Sequence, residues 1–160
     1  MTKIVKYPDA ILTTPTEKFD FTNPPVKPEE LTVELLRTMN DNNGVGLAAN
    51  QIGLPYSVMA IRGYPENFVF FNPKIVNESA EMDSMEEACL SFPGVSLKIK
   101  RPKEIRLRFQ MPSGATETKT FTGLTARTIQ HEIDHLNGVL FINRANRYHR
   151  DKAMKGYYNG

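Results

Sequence analysis

Two periods run through the chain. Val95, Leu97 and Ile99 alternate with polar residues in "GVSLKIK", and Ile105, Leu107 and Phe109 do so in "EIRLRFQM". A period of two predicts strands with one buried face, paired antiparallel. The runs "YSVMAIR" (56–62) and "FVFFNPKIV" (68–76) are rich in β-branched and aromatic residues and have strand length. "PSG" at 112–114 reads as a turn, after which "TETKTFT" returns as the next strand.

Elsewhere the period is helical. Leu31, Leu35 and Met39 recur on one face of a predicted amphipathic helix. Pro28 suits its first turn, Glu29 and Glu30 suit the positive end of its dipole, and Asn42, Asn43 and Gly44 stop it. A second helix is predicted from about Leu124 to the "NG" at 137–138. Ala126, Ile129, Ile133 and Leu136 share one of its faces, and Thr128, His131 and His135 share another. Two inward-looking faces place this helix deep in the molecule. "VLFI" after it is predicted as a short strand, and residues 143–160 as a short basic tail. The order helix, strands, helix predicts an α+β fold. Antiparallel strands would pack around a central buried helix, with one further amphipathic helix near the N-terminus, in a single domain over residues 1–160.

Composition narrows the class. The chain has 160 residues, 24% charged and 40% hydrophobic, which suits a soluble domain with a real core. A net charge of +2 gives no indication of nucleic acid or of a membrane surface as partner. No apolar run approaches the roughly 20 residues of a spanning helix. The start "MTKIVKYPDAIL" has no secretory pattern. Cys89 is the one cysteine, which excludes an internal disulfide and points to a reducing cytoplasm.

The stretch "TIQHEIDHL" carries the chemistry. His131 and His135 are stacked neighbours on a helix, so both imidazoles can reach one ion. Glu132, one position round, can contact water beside that ion without ligating it, which is the logic of H-E-x-x-H. Catalytic sites of this kind use a third protein ligand. His149 lies in the basic tail and reads as solvated. Cys89, in "MEEACLSFPGV", is the better candidate; its alternative is an inert buried thiol. A thiolate with two imidazoles admits Fe(II), Zn, Ni or Co. In "NGVGLAANQIG" the glycines allow close backbone approach, and Gln51 can aim an amide donor at an oxyanion. A loop without chemistry is the other reading of that stretch.

Together, "GVGLAANQ" (44–51), "EACLS" (87–91) and "QHEIDHL" (130–136) resemble the three motifs of the peptide deformylase family. Those are G-x-G-L-A-A-x-Q, E-G-C-L-S and Q-H-E-x-D-H-L, in the same order and at similar separations. The resemblance covers nearly the whole chain. It implies hydrolysis of the N-formyl group from the formylmethionine of nascent polypeptides, with release of formate. It implies one divalent ion, Fe(II) in function, on Cys89, His131 and His135, with Glu132 as the proton carrier. Gln51 and the Leu90 N–H would hold the oxyanion. Val45 and Gly46 would pair with the substrate backbone. Leu124, Arg127 and Thr128 would line the methionine slot with Val45, while Glu87 would anchor the cysteine loop. Gln130 and Asp134 would support the ligands. Two departures stand out. Ala88 replaces the usual glycine, which would shift the backbone or narrow the site. The C-terminus is short, so the ribosome docking associated with a longer helix is not carried over. A metalloprotease is the competing enzyme class, and a metal-binding protein without turnover is the competing non-enzyme.

Overall fold

The computed structural model describes residues 2–159. Helix α1 (Pro28–Asp41) has proline at its start and Glu29 and Glu30 in its first turn, and it buries Leu31, Leu35 and Met39 as the periodicity predicts. Seven strands follow: β1 (Gly46–Ala48), β2 (Val58–Ile61), β3 (Phe68–Glu78), β4 (Met82–Ala88), β5 (Ser96–Pro102), β6 (Glu104–Gln110) and β7 (Thr116–Thr122). Helix α2 (Gly123–Leu136) comes next, and α3 (Arg147–Asn159) ends the chain. All strand pairs are antiparallel, in a five-stranded sheet of order β1-β2-β3-β6-β7 and a separate hairpin β4-β5.

The apolar patterns follow from which faces are covered. Val58 and Ala60 of β2 and Val69 and Phe71 of β3 pack under α1. Their alternate neighbours Met59, Ile61 and Phe70 pack under Ala126, Ile129, Ile133 and Leu136 of α2. Both faces are buried there, so these strands read as continuous apolar runs. Strand β6 is covered on the α2 side alone, so it alternates. Each fully buried Val, Leu, Ile, Phe or Met among these stabilises the fold by about 1.5–3 kcal/mol. A third cluster joins Phe92, Val95, Leu97 and Ile99 to Leu140, Phe141, Ile142 and Met154.

The structure departs from the sequence expectations at four points. "VLFI" makes no strand; Phe141–Arg144 is a single 3-10 turn whose Phe141 and Ile142 are buried. The tail is no solvated end: α3 buries Met154, and the Tyr157 hydroxyl donates to the Tyr7 carbonyl at 2.6 Å. The glycine-rich loop is partly an edge strand, since Gly46, Leu47 and Ala48 pair with Ile61, Ala60 and Met59. The acidic run before Cys89 is strand β4, which no period of two announced because its apolar positions are few.

Candidate active site

Helix α2 enters the molecule between the large sheet and the β4-β5 hairpin, and its residues from Ala126 to Leu136 are all buried. His131 and His135 therefore present their rings from one face, with centroids 5.1 Å apart. Cys89 follows directly after β4 and meets them. Its Sγ lies 3.1 Å from His135 Nε2, and one donor atom each from Cys89, His131 and His135 lie within 4.8 Å of one another.

The ring of His131 is oriented from behind. Its Nδ1 lies 2.8 Å from Glu87 Oε1, which leaves Nε2 for the cluster. Glu87 is held in turn by Arg101, at 2.6 and 2.9 Å, and by Arg127 at 2.8 Å. Arg101 also donates to Asp134 at 2.8 Å, and Arg144 reaches the other Asp134 oxygen at 2.8 Å. Burial would raise the Glu87 pKa, but hydrogen bonds from Arg101 and His131 prevail and hold it well below the usual carboxylate range. Burial opposes charge on His131, yet contacts with Cys89 and Glu87 prevail and raise its pKa well above 6.5. His135 is pushed the other way, by burial and then by the charge of His131.

Glu132 has a different environment. It is buried and its Oε1 has no hydrogen-bond partner among the described residues. Burial, with no adjacent cation bonded to it, raises its carboxyl to about 7. Strand β1 presses against it. A Cβ built on Gly46 would stand 2.7 Å from Glu132 Oε2 and 2.8 Å from Thr128 Cγ2, so only glycine fits.

Gln51 sits in a 3-10 turn after β1. Its Oε1 accepts from the Ala48 N–H at 2.9 Å, which aims Nε2 at Ser91 Oγ, 3.1 Å away, and toward Cys89 Sγ at 3.5 Å. The Leu90 N–H has no partner among the described residues. Gln51, Cys89 and Leu90 line one cleft of about 630 Å³, together with Val45, Gly46, Glu87, Leu124, Arg127, Thr128, His131 and Glu132. Val45 and Leu124 are 51% and 61% exposed, so they stand at its rim. The guanidinium of Arg127 is turned inward to Glu87 and to the carbonyls of Ile99 and Asp83, leaving its stem toward the cleft.

Other sequence candidates separate out. His149 is exposed on α3, away from the cluster. Asp134 faces Arg101 and Arg144, not the donors. Gln130 donates to the Pro102 and Ala126 carbonyls and so ties α2 to β5. Arg101, Ser91 and Asn50 escaped the sequence reading. Arg101 had a signal, because it occupies the next inward position after Val95, Leu97 and Ile99. Asn50, fully buried, donates to the His135 carbonyl at 2.6 Å and had none.

The family model for polypeptide deformylase matches residues 1–151. The chain belongs to the peptide deformylase family. The peptide deformylase of Aquifex aeolicus is 38% identical over 160 residues, covering 96% of this chain and 93% of that protein. That of Borreliella burgdorferi is 37% identical, covering 97% and 94%. The crystal structure of the Synechococcus elongatus peptide deformylase, in complex with actinonin, superposes with a TM-score of 0.91 at 32% identity, covering 98% of this chain and 86% of that one. Peptide deformylases are metal-dependent hydrolases that act on formylated nascent peptides. Ala88, the departure within the cysteine motif, pairs with Ser96 at the end of β4 with an exposed side chain and no positive φ. The added methyl therefore imposes no backbone strain, although it lies on the cleft wall.

Proposed function

We infer that the chain removes the N-formyl group from the N-terminal formylmethionine of nascent polypeptides, as its family does, and that Cys89, His131 and His135 hold the metal. The observation that carries this reading is three donor atoms within 4.8 Å of one another beside a buried, unpartnered carboxylate. The donors fit a divalent ion. Tetrahedral ligand bonds of about 2.0–2.3 Å place donors roughly 3.3–3.8 Å apart; Cys89 Sγ and His135 Nε2, 3.1 Å apart, are near that spacing, and small side-chain adjustments bring all three donors to it. One soft sulfur with two imidazoles admits Fe(II), Zn, Ni or Co, and membership of the family makes Fe(II) the functional ion. When bound, the ion lowers the pKa of water toward neutrality and polarises a carbonyl.

The remaining chemistry belongs to side chains and backbone. The substrate lies along Val45 and Gly46 as an added strand, with its methionine among Val45, Leu124, the Arg127 stem and Thr128. Water adds to the formyl carbon as Glu132 takes its proton. The Gln51 amide and the Leu90 N–H stabilise the oxyanion; one such donor is worth about 2.7–4 kcal/mol of barrier. The C–N bond then breaks, Glu132 returns the proton to the leaving nitrogen, and formate and a free amino terminus depart. Gly46, with no Cβ, lets the substrate edge and the Glu132 carboxylate sit in contact. Glu87 holds the His131 ring and anchors the loop that carries Cys89.

No helix among the described residues is long and apolar enough to cross a membrane. The single reduced cysteine suits a cytoplasmic setting. The reading is tested by formate release from formyl-Met-Ala-Ser with protein loaded anaerobically with Fe(II). Wild type should turn over. Glu132→Ala should keep its metal and lose at least about 10²-fold in rate. Cleavage of ordinary unformylated peptides with no formate release would favour a metalloprotease instead.

A further inference from the structure

Arg62 follows β2 and is exposed, yet its side chain is not free. Nε and Nη2 both donate to the Gly44 carbonyl, at 3.0 and 2.7 Å, and its backbone N–H donates to the Val45 carbonyl at 2.8 Å. It forms no ion pair among the described residues. A long exposed side chain ordinarily keeps its rotamer freedom. Here that freedom is given up for two charge-assisted bonds to one carbonyl.

The carbonyl belongs to the segment that borders the cleft. The peptide units joining Gly44, Val45 and Gly46 are trans, so each N–H points opposite to the carbonyl before it. The Gly44 and Val45 carbonyls are both drawn to Arg62, so the Val45 and Gly46 N–H groups both point away from it. The cleft is lined by Asn43, Gly44, Val45 and Gly46 but not by Arg62. Neither donor is used up by β2. The Val45 N–H has no partner among the described residues. Gly46 stands opposite Ile61 at a non-hydrogen-bonded position, because the Arg62-to-Val45 bond fixes the alternation. The other end of the segment is tied to α1, where the Gly44 N–H donates to the Met39 carbonyl at 2.9 Å.

We propose that Arg62 is a positioning residue for peptide recognition: by holding the Gly44 carbonyl it aims two consecutive backbone N–H groups into the cleft, where they receive carbonyl oxygens of the substrate backbone. The proposal rests on the deformylase reading for the nature of the peptide. Arg62 touches neither the metal donors nor Glu132, so its removal acts on binding and not on the chemical step.

The experiment compares wild type, Arg62→Ala and Arg62→Lys as metal-loaded protein. With formyl-Met-Ala-Ser, Arg62→Ala should raise KM about tenfold and leave kcat within about twofold, the pattern of lost uniform binding. Metal content should stay at the wild-type level. Arg62→Lys should recover part of the loss, since an ammonium can still reach one carbonyl. The same substitution in the Glu132→Ala background should weaken calorimetric binding of formyl-Met-Ala-Ser about tenfold, with no turnover involved. Unchanged KM and binding would overturn the proposal, as would a fall in kcat accompanied by loss of metal. Weakened binding by the Arg62→Ala protein, with no formate released even by wild type, would retain the role of Arg62 in holding peptide while rejecting deformylation.

Discussion

Among the glycines that line the cleft, Gly46 is the one most tightly dictated by its neighbours. Any side chain there meets Glu132 and Thr128 within 2.8 Å, and α2 is too well packed to retreat. Gly46→Ala should therefore displace the Glu132 carboxylate and lower kcat/KM about 10²-fold, because misplacement of a reacting group by about 1 Å has effects of that order. Metal content should be retained, and steady-state kinetics with metal analysis checks both. Near-wild-type activity would mean that β1 does not press on the proton carrier. At this scale the sequence was most legible where spacing alone carries meaning. His131 and His135 are four apart on a periodic helix, and the third histidine, His149, stands at no such spacing from either. The need for glycine at 46 was legible as close approach, but the group approached was not, because Glu132 is 86 positions away in the chain. Arg62 and Asn50 were illegible for the same reason: each acts on a carbonyl that only the fold brings near.

Between elements, the decisive joint is that of the β4-β5 hairpin with α2. Glu87 on β4, Arg101 on β5, and Arg127 and Asp134 on α2 form one buried charge network that fixes both the cysteine loop and the His131 ring. Replacing Arg101 by Met leaves Glu87 and Asp134 short of a cation away from water. Arg101→Met should cost about 3–5 kcal/mol, measured by urea denaturation, since uncompensated buried charge is strongly unfavourable. A loss under about 1 kcal/mol would show that Arg127 and Arg144 suffice. The joint at the C-terminus is apolar. Met154 fills the third core cluster against Phe92 and β5, so Met154→Ala should destabilise the protein by about 2–4 kcal/mol in the same assay. An unchanged unfolding midpoint would restore the picture of a solvated tail. That tail was misread because charged residues surround its few apolar contacts, which hides the helical period from a hydropathy pattern. "VLFI" was misread because a short apolar run does not distinguish a strand from a buried turn.

In the molecule as a whole, the α+β class and the central placement of α2 were legible in the alternation of periods two and 3.6. The distribution of strands into a five-stranded sheet and a detached hairpin was not. It depends on long-range pairing, including the register shifts of β3 against β6 near Asn72 and Pro73, that no local pattern encodes. This arrangement is what creates the site. Strand β1 and the turn after it carry Gly46 and Gln51, β4 and the residue after it carry Glu87 and Cys89, and the cleft is lined by all four. On the proposed function, elements so far apart in the chain meet on one ion. X-ray absorption on zinc-loaded protein tests this most directly. The expected shell is one sulfur at about 2.3 Å and two imidazole nitrogens at about 2.0–2.1 Å, with the sulfur lost in Cys89→Ser. A shell of nitrogen and oxygen alone in the wild type would contradict it.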